Sequence, residues 1–277
     1  MIKDILVNLS ATDAERDPAV DYGVALAELL DAHVTGMGFR VEHALNPSAF
    51  GLFPASAVAA ATKAEHEAAE RAAKLFAETC RRAGVTVDCV MEAAPLADAA
   101  DRFGRAARRF DLSVVRQPKP DTLAPEHLML QAALFDSGRP LIVVPYINRT
   151  PPRFDRVALC WDGSRAAARA AGDALPLLAH AKAIDIVIVT SDRLKSEDLP
   201  GAEIAAHLAR HGLKVNVALI GRGDLNVGTI ILNYVSDHSI DFLVMGGYGH
   251  SRLREFVLGG VTRTLVESMT VPTLMTH

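Results

Sequence analysis

Short apolar runs alternate along the chain with longer segments whose apolar positions recur every three to four residues, a pattern of strands and helices taking turns in a parallel sheet. Residues 5–9, 33–39, 85–90, 111–115 and 141–144 read as five strands. Helices are expected over 19–30, 57–82 and 96–109, with a segment carrying Pro47, Gly51 and Pro54 before the second of them. The series then restarts after 148–152, whose proline pair continues neither a helix nor a central strand. Residues 157–161, 186–189, 215–219, 242–245 and 273–275 repeat the five strands. A helix over 166–178 follows the first of these, and Val261, Leu265 and Met269 mark one face of another near the end.

Local matches strengthen the repeat. Arg82-Ala83-Gly84 answers Arg210-His211-Gly212, Phe110-Asp111-Leu112 answers Ile240-Asp241-Phe242, and Arg139-Pro140-Leu141 answers Val271-Pro272-Thr273. The offset is 152 from Val7 to Leu159, but 128 from Gly84 to Gly212 and 130 from Asp111 to Asp241. About two dozen extra residues therefore fall between the second and third strands of the first half. This insertion, near 40–62, is a lid, a dimer contact or a plain loop. The domains are expected at 1–147 and 153–277.

Composition narrows the function. Half of the 277 residues are hydrophobic and 22% are charged, the balance of a globular α/β protein. The net charge is −4 and no basic block stands out, which makes nucleic acid and anionic membrane poor partners. Three cysteines fit neither a zinc site nor a disulfide framework. With no signal-like start and no apolar stretch near the roughly 20 residues needed to cross a bilayer, a cytoplasmic protein is expected.

The chemistry gathers after the ninth strand, at Met245-Gly246-Gly247-Tyr248-Gly249 and on through Gly259-Gly260-Val261-Thr262. A chain that leaves a strand, turns on glycines and enters a helix presents unpaired N–H groups to an anion. The spacing Gly246-x2-Gly249-x9-Gly259 is neither a P-loop nor a dinucleotide fingerprint. The corresponding first-half stretch, Val115-Arg116-Gln117-Pro118-Lys119-Pro120, has two prolines and no glycine, so one working site per chain is expected. In an open parallel sheet that site lies where the strand order reverses, beyond the ends of the first and fourth strands. Asp162 and Gly246 would both face that crevice, whereas Ser10 stands in the place of Asp162 in the first half.

The spacing resembles the universal stress protein family, whose nucleotide-binding members carry G-x2-G-x9-G-(S/T) after the fourth strand, and the resemblance covers the chain as a tandem pair. It implies two Rossmann-like α/β domains, each a five-stranded parallel sheet in the order 3-2-1-4-5 flanked by helices. It also implies an adenine nucleotide (ATP, AMP or ADP, with or without Mg²⁺) held by Gly246, Gly249 and Gly259, with Met245 before them and Val261 and Thr262 after. Asp162 would lie near the adenosine and Val189 near the base. Gly260 departs from the pattern by standing at the Ser/Thr position, a loss of about 1 kcal/mol for one neutral hydrogen bond. Ser251 or Thr262 would then be the substitute hydroxyl. On the residues alone, Gly246 and Gly249 have a lesser alternative as plain turn glycines with positive φ, and Asp162 equally suits a turn or helix cap. Three functions follow: a nucleotide-binding stress-response regulator without fast turnover, a slow ATPase, or an interaction scaffold without nucleotide. Pairing of the two domains, or of two chains, through the fifth strands is expected as well.

Overall fold

The computed structural model describes residues 1–11, 16–42, 55–119, 125–190, 201–247 and 260–277. Most of the expected insertion thus lies outside the described residues, as do Gly249, Ser251 and Gly259.

Two compact units emerge, Ile2–Arg139 and Pro140–His277. In the first, β1 (Asp4–Leu9) is flanked by β2 (His33–Val41) and β4 (Leu112–Arg116), and β3 (Val87–Ala94) lies outside β2, all parallel. The run Ile5-Leu6-Val7 is buried on both faces, as a central parallel strand must be. Helix α1 (Pro18–Leu30) starts on an Asp17 cap followed by proline, which suits a first helical position, and ends on Asp31 in the left-handed region. Helix α2 (Ala55–Ala83) seats the fully buried Phe76 ring where a Cβ on Gly36 of β2 would fall, 2.5 Å from Phe76 Cε1. Helices α3 (Leu96–Ala107) and α4 (Pro125–Asp136) cross closely at Gly104 and Ala132. The third strand spans Val87–Ala94 rather than 85–90, because it is an edge strand with Asp88, Cys89 and Val90 all exposed and its polar Glu92 inside the paired stretch, so no single apolar run marks it.

In the second unit, β5 (Leu141–Val144) runs antiparallel to β10 (Thr273–Thr276). Beyond it, β10, β9 (Phe242–Gly246), β6 (Arg156–Cys160), β7 (Ala183–Thr190) and β8 (Val215–Gly221) are parallel neighbours in that order. Read from β8 this is the 3-2-1-4-5 arrangement, with β6 as its first strand. The first series' fifth strand, β5, groups with this second unit. Helices α5 (Arg165–Leu178), α6 (Ala202–Arg210), α7 (Val227–Asp237) and α8 (Gly260–Ser268) cover the sheet.

The repeat has a structural meaning. Asp111 Oδ2 accepts from the amides of Lys3 and Asp4 at 2.8 and 3.2 Å, while Asp241 Oδ2 accepts from those of Asp155 and Arg156 at 2.9 and 3.3 Å. Each aspartate thereby fixes the start of its unit's central strand. Gly84 and Gly212, with φ of 68° and 78°, end α2 and α6 in the left-handed conformation that only glycine adopts without cost.

Candidate functional site

The crevice of the second unit opens where β6 and β9, paired from Val157 opposite Phe242 to Leu159 opposite Val244, diverge beyond their carboxyl ends. At the end of β6, Asp162 Oδ1 accepts from Ser164 N at 2.9 Å, Gly163 takes φ of 73°, and Ser164 Oγ caps α5 by accepting from Ala167 N at 3.1 Å. Asp162 is therefore an Asx turn that sets up a helix start, and its exposed carboxylate stands at the crevice mouth. Below it, burial and the Asp162 charge push the Cys160 thiol up to about 12. It is not a nucleophile near neutral pH. Val189 and Thr190 end β7 half-buried, Thr190 Oγ1 donating to Ile220 O at 3.3 Å.

Gly246 corrects the turn-glycine reading, because its φ is not positive. A Cβ there would lie 2.5 Å from Ala166 C and 2.6 Å from Ala167 N, inside the first turn of α5. Glycine is required so that the strand end can touch a helix backbone. Met245 before it is buried, and the amide of Gly247 after it donates to Thr276 O at 2.7 Å, so that donor belongs to the sheet and not to a ligand. On the far side of the loop, Gly260 and Val261 open α8. Thr262 is buried, while Thr264 Oγ1 donates to Gly260 O at 2.8 Å. Among the described residues, nothing lies within 4 Å of where a Cβ on Gly260 would fall.

The equivalent place in the first unit joins Ser10 and Arg116 to Asp17 and Glu126, two residues that sequence reasoning missed. Arg116, the last residue of β4, occupies the place that Gly246 holds in β9, and Glu126 is the second residue of α4 as Val261 is of α8. Their side chains are each 2% exposed and meet at 2.6 Å. Ser10 Oγ donates to the same Glu126 oxygen at 2.6 Å, and Ser10 N donates to Asp17 Oδ2 at 3.4 Å. A carboxylate at a helix N-terminus, neutralised by a guanidinium, thus stands where the other unit has Gly246 and Val261. The one sequence signal is a charged residue closing an apolar strand, Leu112-Ser113-Val114-Val115-Arg116.

The two carboxylates respond differently to burial. Burial opposes ionisation of Glu126, but the Ser10 hydroxyl and Arg116 outweigh it and hold its carboxyl below the ordinary value. For Asp17, 3% exposed, burial wins over Arg116 and over the amides of Ala19 and Ser10, and its carboxyl rises to about 6 from 3.8. The folded state thus binds a proton on Asp17 that the unfolded state has lost, and this contribution to stability falls as pH rises from about 4 to about 6, by on the order of 3 kcal/mol. Asp17→Asn keeps a capping oxygen and is expected to remove that slope. Urea unfolding of both proteins between pH 4 and 7 measures it, the Asn variant gaining on wild type as pH rises.

The fold is shared with known proteins. Residues 153–277 match the model of the universal stress protein family. A curated universal stress protein of Synechocystis sp. is 35% identical over 68 residues, a match that spans 24% of this chain and 22% of the relative's length. The crystal structure of a universal stress protein from Archaeoglobus fulgidus DSM 4304 superposes with a TM-score of 0.71 at 16% identity, covering 99% of this chain and 95% of that one. A functionally unknown protein from Pseudomonas aeruginosa PAO1 superposes with a TM-score of 0.63 at 14% identity, covering 99% and 92%. Among the described residues no helix is long and apolar enough to cross a membrane. Residues 153–277, with their glycine-ended β9 set against the start of α5, are a universal stress protein domain, in a chain that shares along its whole length the fold of a solved universal stress protein.

Proposed function

We propose that this chain binds one adenine nucleotide, ATP in the first instance, in the crevice of its second unit, and serves as a stress-response regulator without fast turnover. The observation that carries the reading is the contrast between the two crevices. Gly246 and Val261 put no charged side chain at the end of β9 and the start of α8, whereas Arg116 and Glu126, an ion pair, hold the equivalent positions of the first unit. The nucleotide's phosphates would lie against the N-terminus of α8 and the Gly249 and Gly259 amides, with any Mg²⁺ carried on the phosphates. Asp162, already hydrogen-bonded to Ser164 N, suits a fixed polar contact to the adenosine better than a mobile base, and Val189 would flank the base.

Gly260→Ser tests this reading. No described residue crowds a Cβ at Gly260, and the hydroxyl restores a phosphate donor worth about 1 kcal/mol, so ATP affinity is expected to rise roughly fivefold with no loss of melting temperature. Calorimetry on both proteins measures it. Equal affinity in the two would place the phosphates elsewhere. Phosphate release above a buffer blank by the pure chain would favour slow hydrolysis over plain binding.

A further inference from the structure

A second concave surface of the Pro140–His277 unit lies away from the nucleotide crevice, between the edge strand β8 and helix α7. Its volume is about 560 Å³, within the range of binding clefts. Asn216, Ala218 and Ile220 of β8 form one wall and Ile230, Tyr234 and His238 of α7 and its end the other. Two aromatic rings of the α7 wall pack on one another. The Tyr234 and His238 rings stack at 3.9 Å with planes 15° apart, and His238 Nδ1 lies 3.1 Å from Tyr234 O. At one end, Asp185 is buried and satisfied by Arg156 Nε at 2.9 Å and Asn216 Nδ2 at 3.4 Å.

Main-chain geometry decides what this groove suits. Arg222 N donates to Thr190 O and Lys214 O accepts from Ile184 N, both at 2.9 Å, so even-numbered residues of β8 turn their N–H and C=O groups towards β7. Val215, Val217, Leu219 and Gly221 therefore turn theirs outward, and among the described residues β8 pairs with β7 alone. The first unit has a matching groove between β3 and α3, but there Arg102 Nη1 reaches across to Glu92 at 3.0 Å and ties helix to strand, beside Arg105 and Arg109. Among the described residues no ion pair spans the β8–α7 groove from strand to helix. Its ends carry opposite charge, with exposed Arg222 beyond the carboxyl end of β8 and exposed Asp237 near its start, and the half-exposed Leu225 flanks the Arg222 end.

We infer that this groove binds an extended peptide that adds to β8 as a further strand, with apolar side chains at alternate positions facing Ala218 and Ile220, an acidic residue at the Arg222 end and a basic one at the Asp237 end. Main-chain bonds to the outward groups of β8 supply sequence-independent affinity, and the α7 wall and the two charges select the sequence. The inference is independent of nucleotide binding.

Random octapeptides displayed on phage, panned against the intact chain and then synthesised, test it. The expected winners carry the alternating apolar pattern between opposite charges. At saturation they slow amide exchange at 215, 217, 219 and 221 by at least about tenfold while leaving the already bonded 216, 218 and 220 unchanged. Ala218→Lys, at a half-exposed position that tolerates a long side chain, is expected to weaken them at least about tenfold at an unchanged melting temperature. Three results overturn the proposal: no enrichment over bare support, selected peptides that bind Ala218→Lys as well as wild type, or outward amides already protected in a concentration-dependent way, which would assign the edge to a second copy of the chain.

Discussion

Gly246→Ala is expected to destabilise the Pro140–His277 unit by about 3 kcal/mol or more, the upper end of what overpacking costs, because the new methyl would collide with helix backbone and not with a side chain that can turn away. Neither partner can yield cheaply. Ala166 and Ala167 belong to the first turn of α5, whose start is fixed by the Ser164 cap and the Asp162 turn. Retreat of β9 would break its register with β6 and β10. An aspartate at 246 would add a charge at a half-buried site and cost more. Thermal melting of wild type and Gly246→Ala measures the effect, and a shift of less than about 2 °C would mean that strand and helix separate easily. It follows that loss of ligand binding in any Gly246 variant reports on the fold. The informative substitution is at Gly260, where no described residue crowds a Cβ.

Arg116→Met is the second large effect. Removing one partner of a buried ion pair leaves the other charge unpaired in a poorly solvated place, which costs about 3–5 kcal/mol. Here the abandoned groups are Glu126 and, more weakly coupled, Asp17. The deficit is expected to shrink as pH falls and the stranded carboxylates take up protons. Combining Arg116→Met with Glu126→Gln is expected to recover most of the loss, since a neutral amide still accepts from Ser10 without needing a countercharge. Urea unfolding at pH 7 and pH 5 distinguishes these cases. A single-variant cost under about 1 kcal/mol would mean that water reaches the pair and that the first crevice is not plugged.

These two predictions also mark where the sequence was legible and where it was not. The strand runs, the long second helix and the repeat were visible because each is a local pattern, and the Asp111 and Asp241 match proved to be a shared hydrogen-bonding device at the start of each central strand. The reason for Gly246 was not visible. Its requirement is set by Ala166 and Ala167, some eighty residues earlier, and no local spacing encodes a close approach of strand to helix. The charged plug was hidden for the same reason. Ser10, Asp17, Arg116 and Glu126 are unremarkable where they stand in the chain and become one network only when β1, α1, β4 and α4 converge. The absence of glycine after β4 pointed to a lost cradle but not to its replacement by an internal carboxylate.

The central claim is that the chain has a single nucleotide site, in its second unit. Calorimetric titration of the intact chain with ATP and Mg²⁺ tests it most directly. One nucleotide per chain, bound more tightly by Gly260→Ser and unaffected in number by the Arg116→Met, Glu126→Gln pair of substitutions, is the predicted result; no binding, or two nucleotides per chain, would contradict it.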